Sequence, residues 1–360
     1  MRVAGFPCVG VAGHCLAVGV LLAAAGALGQ GAVQAFPLTD TRGIVEHGVK
    51  AEAVEYMGRK AVRVTPAGES GLAMLRGVDF QDGVIEAEIA LKVTTPPEVR
   101  MPGFVGIAFR AYLDEAKPDA STAGAVKPDT SKYELFYLRP GNSHSEDQAM
   151  RNHSVQYTSE PDFSWYRLRR NWPEVYESHA ELQFAHWTKV KIEVAGRSAK
   201  LYLNGDESPS LVVDGLKGEN LHGGVGLWGY DGEEAYFSNM KITPAAPKAV
   251  KNGSDAAGTW GVKLMTDFGA FDGVMKLARD GGAVSGTWTG SFGDSLPVNG
   301  TWRDGYVELS FAGTWTEKMP GGNPGPVTTN LAGWIDGDGA GGRVRVLGRA
   351  DGRWSAERKP

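Results

Sequence analysis

The sequence predicts an all-β protein of two units, an antiparallel β-sandwich followed by a small antiparallel β-barrel. Three observations carry this. Period-two runs bounded by turn residues recur from Gly48 onward. Glycine is abundant (50 residues) and tryptophan numerous (10), and no amphipathic helix of useful length separates the runs, which is the composition of a turn-rich β protein. Beyond residues 244–253 the texture changes, and Gly-Thr-Trp recurs four times, ending at Trp260, Trp288, Trp302 and Trp315.

The chain opens on a short basic start, Met1-Arg2, and an apolar stretch from Val9 to Gly29. Small residues at −3 and −1 of a cut before Phe36, within Ala32-Val33-Gln34-Ala35, complete the pattern of a secretory signal peptide over residues 1–35. A permanent anchor fits less well, because the run is Gly-rich and lacks a basic stop-transfer flank. The expectation is a secreted or periplasmic protein, cleaved near Ala35, with no integral membrane span in the mature chain. Both cysteines, Cys8 and Cys15, fall in the leader, so burial alone must hold the mature fold. The formal net charge is −5 and no Lys/Arg cluster appears, which argues against nucleic acid as a partner.

Residues 36–243 form the first expected unit. Lys60–Val64, Gly83–Leu91, Phe104–Phe109, Thr188–Val194 and Ala199–Leu203 alternate as strands, Asn204-Gly205 signals a tight turn, and Gly223–Leu227 with Ala235–Ile242 suggests a closing hairpin. Asp114–Ser131 carries no apolar pattern and suggests a long exposed loop. Residues 244–253 suggest a linker. Residues 254–360 form the second unit: glycine permits a turn, Thr-Trp begins the next strand, and the tryptophans fill the barrel. This layout resembles the small lipocalin-like β-barrel modules attached to exported bacterial proteins, and Trp354–Arg358 fits their last strand.

Function is sought in the first unit. In Phe104–Arg110, Val105, Ile107 and Phe109 alternate with Gly106, Ala108 and Arg110. The second set is cleared of bulk and ends in a guanidinium, as a shallow groove for a flat polar ligand requires. Arg139, Asn142, Arg151, His153, Gln156, Tyr157 and Trp165 are its candidate companions. Planar amides and guanidiniums bridge adjacent sugar hydroxyls, and aromatic rings pack on pyranose faces. The alternative is an Arg-Asn-His network that pins a long loop to the sandwich.

The runs Phe104–Arg110, Tyr133–Asn142, Arg151–Tyr157, Trp165–Arg169, Tyr176-Glu177, Lys200–Gly205, Gly224–Trp228 and Ala235–Ile242 resemble a concanavalin A-like jelly-roll domain. Within it they are most similar to the secreted bacterial 3-keto-disaccharide hydrolase or laminarinase-like grouping. Arg139-Pro140-Gly141-Asn142 with His153–Tyr157 is the most specific part. The resemblance implies a carbohydrate partner more firmly than it implies hydrolysis.

Hydrolysis of a glycoside usually needs two carboxylates, about 5–5.5 Å apart for retention or about 6.5–9.5 Å for inversion. Glu86 and Glu88 share a strand face, but the run lacks the third acid of the Glu-x-Asp-x-x-Glu signature, and paired Glu on a solvent face is ordinary. Glu134 is the better catalytic candidate, beside the Arg/Asn/His set, although it shares a face with Phe136 and Leu138. The histidines have no compact metal spacing and no phosphate-cradling loop occurs, so no metal or cofactor is expected. The leading expectation is a secreted carbohydrate-binding protein; the alternatives are a glycoside hydrolase or lyase, and a structural or adhesive envelope protein.

Overall fold

The alternating runs are strands, and their apolar halves close two separate cores. The computed structural model describes Met1 and residues 31–94, 102–113, 131–218, 220–249, 253–321 and 323–360. Residues 2–30 of the expected leader, with both cysteines, and residues 114–130 of the expected loop lie outside these described residues.

In chain order the first unit contributes β1 (Gln34–Phe36), β2 (Ile44–His47), β3 (Val49–Tyr56), β4 (Arg59–Pro66) and β5 (Ser70–Leu75). β6 (Asp82–Val93), β7 (Val105–Tyr112) and β8 (Lys132–Leu138) follow. Two single turns, α1 (Pro140–Ser143) and α2 (Gln148–Arg151), lead to β9 (Val155–Glu160), helix α3 (Trp165–Asn171) and β10 (Glu177–Ser178). β11 (Thr188–Ala195), β12 (Ser198–Leu203), β13 (Leu211–Val213), β14 (Gly224–Tyr230) and β15 (Glu233–Ala245) complete it.

One sheet runs β13-β12-β11-β6-β15-β4-β3 with β1 beside β15, and the second runs β10-β9-β8-β7-β14-β5-β2. The chain crosses between the sheets after β1, β2, β4, β5, β6, β10, β13 and β14, which winds it as a jelly roll. The pair expected to close as a hairpin does not: β14 and β15 lie in opposite sheets. Alternation fixes which residues of each strand face the core but not which sheet a strand joins, so Val225 and Leu227 meet Ala235 and Phe237 across the core. Val105, Ile107 and Phe109 of β7 and Phe136 and Leu138 of β8 share that core with Ile85 and Ile89 of β6 and Ile192 of β11. Burial of each such side chain contributes about 1.5–3 kcal/mol. The expected cleavage position before Phe36 falls within β1, and β15 continues through Pro244 and Ala245.

The second unit is a closed barrel of β16 (Gly258–Thr266), β17 (Gly269–Asp280), β18 (Ala283–Gly290), β19 (Gly293–Arg303), β20 (Tyr306–Trp315), β21 (Gly325–Asp336), β22 (Gly339–Val346) and β23 (Ala350–Lys359). Consecutive strands pair and β23 returns to β16. Trp260, Trp288, Trp315 and Trp354 fill the interior, with Trp288 stacked on Phe311 at 4.7 Å between centroids. The Gly-Thr-Trp motif begins a strand only in β16; in β18, β19 and β20 it lies toward the strand's end. There the glycine serves close backbone approach rather than a turn. A Cβ on Gly286 would overlap the carbonyl oxygen of Lys276, and one on Gly300 that of Glu308, on neighbouring strands. Trp334 points outward instead, its ring 5.0 Å from that of Tyr306.

Candidate functional site

The sequence-predicted residues do not share one hollow; the structure distributes them over three places. The first is the outer face of the sheet containing β7 and β8. A single register line crosses its strands as His47, Leu72, Trp228, Gly106, Tyr137, Gln156 and Glu177. Gly106 holds the middle because a Cβ there would lie 2.5 Å from Phe136 O and 2.7 Å from Tyr137 Cβ. The Tyr137 and Trp228 rings stand 5.3 Å apart at their centroids. Arg139 lies over Tyr137 at 5.4 Å and donates to Gln156 Oε1 at 2.7 Å. At the end of the line Glu177 gathers His153 Nδ1 at 2.8 Å, Arg169 Nη2 at 2.7 Å and, at 3.7 Å, Arg139. Arg139, His153 and Gln156 are thus together, as their spacing suggested, but around a buried carboxylate. Asn142 Nδ2 donates to His153 O at 3.3 Å, and Arg151 Nη1 donates to Ser145 O and Glu146 O, tying down the two single turns. Trp165 opens α3, 46% exposed, beneath the Arg169 guanidinium at 4.9 Å.

Arg110 leaves that face. β7 bulges between Phe109 and Tyr112, and Arg110 adopts a φ of 50°, which reverses the alternation that held through Phe109. Its guanidinium is buried and donates to Asp82 Oδ1 at 2.9 Å, to Gln81 O and to Gly196 O. The third place is the core side of β8 and β9. Tyr157 donates to Glu134 Oε2 at 2.5 Å and accepts from Lys217 N at 2.6 Å, while Gly218 N donates to Glu134 Oε1 at 2.9 Å. Burial pushes the Glu134 carboxyl up, against the opposing pull of Tyr157, Arg110 and Gly218. Its hydrogen-bonding neighbours are donors, so it anchors the 217–218 loop.

That loop borders a cleft of about 740 Å³ between sandwich and barrel. The sandwich wall comes from α3 and the segment after it, with Arg167, Arg170, Trp172 and Tyr176. The barrel wall is the polar half of the barrel's own alternation. Asn299, Ser310, Asn330 and Arg345 form one register line across β19–β22, and Thr301, Glu308, Ala332 and Arg343 form the next. Lys217 pairs with Glu308 across the junction and lies 3.9 Å from the Trp172 ring centroid. Burial pulls its ammonium down while Glu308 opposes that. Arg197 pairs with Asp304 at 3.0 Å, and Arg303 donates to Lys217 O at 3.0 Å. Gly215 is required here, since a Cβ would overlap the Tyr306 ring. Burial raises the Tyr176 and Tyr306 phenols well above their ordinary range, so both remain neutral near pH 7.

The sequence reading missed this cleft, because its two walls meet only when the units dock. One part of the signal was legible: polar residues alternating with Val298, Val307, Leu309 and Leu331 along the barrel strands. Among the described residues no His, Asp or Glu group is placed to hold a metal ion, and no helix is long and apolar enough to cross a membrane.

A buried acid at the start of β15 makes a pH prediction. Glu233 Oε2 accepts from Phe104 N at 2.5 Å, and burial pushes the carboxyl up to about 8 against the opposing pull of the Phe104 and Gly103 amides. A raised carboxyl contributes stability that is full below about pH 4.5 and is lost as pH rises through about 8. Glu233→Gln is expected to flatten the fall in urea midpoint between about pH 5 and about pH 9. An unchanged slope would contradict the assignment.

No protein-family model matches this chain, and no curated protein matches it. Among solved structures the chain is similar to a protein of unknown function with a galectin-like fold from Bacillus subtilis, at 11% identity and a TM-score of 0.40, covering 61% of this chain and 99% of that one. It is similar to the carbohydrate binding module CBM66 from Bacillus subtilis at 15% identity and a TM-score of 0.33, over 55% of this chain and 96% of the module. It is also similar to lectin UEA-II complexed with galactose, at 8% identity and a TM-score of 0.38, over 60% of this chain and all of the lectin.

Proposed function

We propose that this chain is a carbohydrate-binding protein whose ligand lies in the cleft between the jelly-roll sandwich and the barrel. The supporting observation is the facing of two chemistries: the amides and hydroxyl of Asn299, Asn330 and Ser310 on the barrel, and the rings of Trp172 and Tyr176 on the sandwich. Planar amides take vicinal hydroxyls, rings take the C–H faces of a pyranose, and the volume falls within the ordinary range of ligand sites. Arg139, His153 and Gln156 serve this wall indirectly, since Glu177, which they surround, also holds Arg169 of α3. Binding is preferred to hydrolysis because Glu134 is enclosed among donors. Export through a leader ending near Ala35 belongs to the same proposal.

The test is retention of the full chain on a panel of soluble polysaccharides. Asn330→Ala is expected to weaken retention by roughly tenfold, the worth of one or two hydrogen bonds, with the unfolding midpoint unchanged. Absence of any retained polysaccharide with the wild-type chain would overturn the proposal.

A further inference from the structure

Resting on the reading that the cleft holds a saccharide, we infer that this saccharide is acidic, a polymer bearing carboxylates or sulfates. The whole chain has a formal net charge of −5, yet its cleft is lined by seven Lys/Arg residues and only four Asp/Glu residues. The pairing of these groups decides which charges are available. Lys217 is neutralised by Glu308 and Arg345 by Asp351, and Arg197 is bound to Asp304. Arg303 is occupied by the carbonyl oxygens of Lys217 and Gly218. Among the described residues, two guanidiniums are left unpaired and a third is weakly paired. Arg343 on the barrel wall, 44% exposed, is held only by a long ion pair to Asp214 at 3.9 Å.

Arg167 and Arg170 stand three residues apart on α3, hence on one side of it, both exposed. Their partners are neutral. Arg167 donates to Asp162 O and lies 4.4 Å over the Phe163 ring; Arg170 donates to Tyr166 Oη and lies 5.9 Å over that ring. A guanidinium resting on a ring keeps donors free at its edge, in the fork geometry that matches a carboxylate or sulfate. The sandwich wall therefore offers two cations with no carboxylate partner among the described residues, the barrel wall offers one whose ion pair with Asp214 is long and part-exposed, and a ligand with anions at intervals along its length would bridge the walls. A neutral glycan would leave these charges unanswered.

Matched pairs of polymers separate charge from sugar: polygalacturonate against its methyl ester, and dextran sulfate against dextran, each titrated against the full chain by calorimetry. Binding of at least one acidic polymer is expected, with its neutral twin bound at least roughly tenfold more weakly and the acidic binding falling steeply as salt screens it. The acidic pair that responds distinguishes carboxylate from sulfate. The double variant Arg167→Gln/Arg170→Gln, on an exposed helix, is expected to lose roughly tenfold for the acidic polymer while its circular dichroism melt is unchanged. If a neutral twin binds as tightly as its charged partner, the acidity inference falls and saccharide binding stands. If none of the four binds, while neutral polysaccharides of the wider panel also fail, both fall. An acidic polymer whose affinity ignores the double variant would place the site elsewhere. Duplex DNA bound as tightly as polygalacturonate, and equally sensitive to the variant, would show a site that recognises charge alone and overturn the saccharide assignment.

Discussion

Glu134→Ala is expected to destabilise the sandwich by about 3–5 kcal/mol, read as a lower urea midpoint of the full chain, because it strands several buried polar groups at once. Its carboxylate accepts from Tyr157 Oη and from Gly218 N, and Tyr157 Oη in turn accepts from Lys217 N. Each buried donor left without a partner costs about 1–3 kcal/mol, and the removed side chain leaves a void beside Phe136. Tyr157→Phe removes only the bridge and should cost less than Glu134→Ala. Glu134→Gln preserves the volume but sets an amide donor against one of the two donors, so its cost should lie between zero and that of the alanine variant. A Glu134→Ala chain within about 1 kcal/mol of wild type would sink the anchoring role. Saccharide binding should weaken together with stability, since the anchored loop carries Lys217 into the cleft; turnover lost in a fully stable Glu134→Gln chain would instead point to catalysis.

Glu134 also shows where reading a sequence stops. Its parity placed it with Phe136 and Leu138 on the core face, and that is where it lies, but the groups that make the position tolerable, Tyr157, Lys217 N and Gly218 N, come from distant segments that no periodicity links. Arg110 failed for a different reason. Alternation was correct from Val105 to Phe109 and then lost phase at the bulge, an irregularity that leaves no mark in a run of Phe-Arg-Ala-Tyr. The Gly-Thr-Trp motif predicted a Trp-filled barrel and misplaced its glycines, because a turn and a tight backbone crossing both demand a missing Cβ. The cleft was beyond reach altogether. Asn299, Ser310 and Asn330 are plainly the outward half of an alternating pattern, but nothing local says that Trp172 will stand opposite them.

What holds those walls together can be tested through an asymmetric pair. Lys217 Nζ is almost fully enclosed and rests on Trp172, whereas Glu308 keeps about a fifth of its side chain in water, at 22% exposure. Removing the acid leaves a buried ammonium without a counter-charge, a loss of about 3–5 kcal/mol, so Glu308→Ala should be severe. Removing the base leaves an acid that water can reach, and Lys217→Met keeps the aliphatic stem against the rings, so that variant should cost only about 1 kcal/mol. The double variant should then match Lys217→Met alone, a coupling of about 3–5 kcal/mol in the cycle, equal to the cost of Glu308→Ala. pH supplies an independent reading. Burial already lowers the Lys217 ammonium, and without Glu308 it is lowered further. A depressed base makes the unfolded chain the better proton binder, so the stability of Glu308→Ala should climb from neutral pH towards about pH 10 as Lys217 sheds its proton, while Lys217→Met shows no such recovery. Equal and additive costs for the two single variants would mean that the domains are held by Arg197–Asp304 and the Arg303 hydrogen bonds instead, with the Lys217–Glu308 contact a surface pair of little weight.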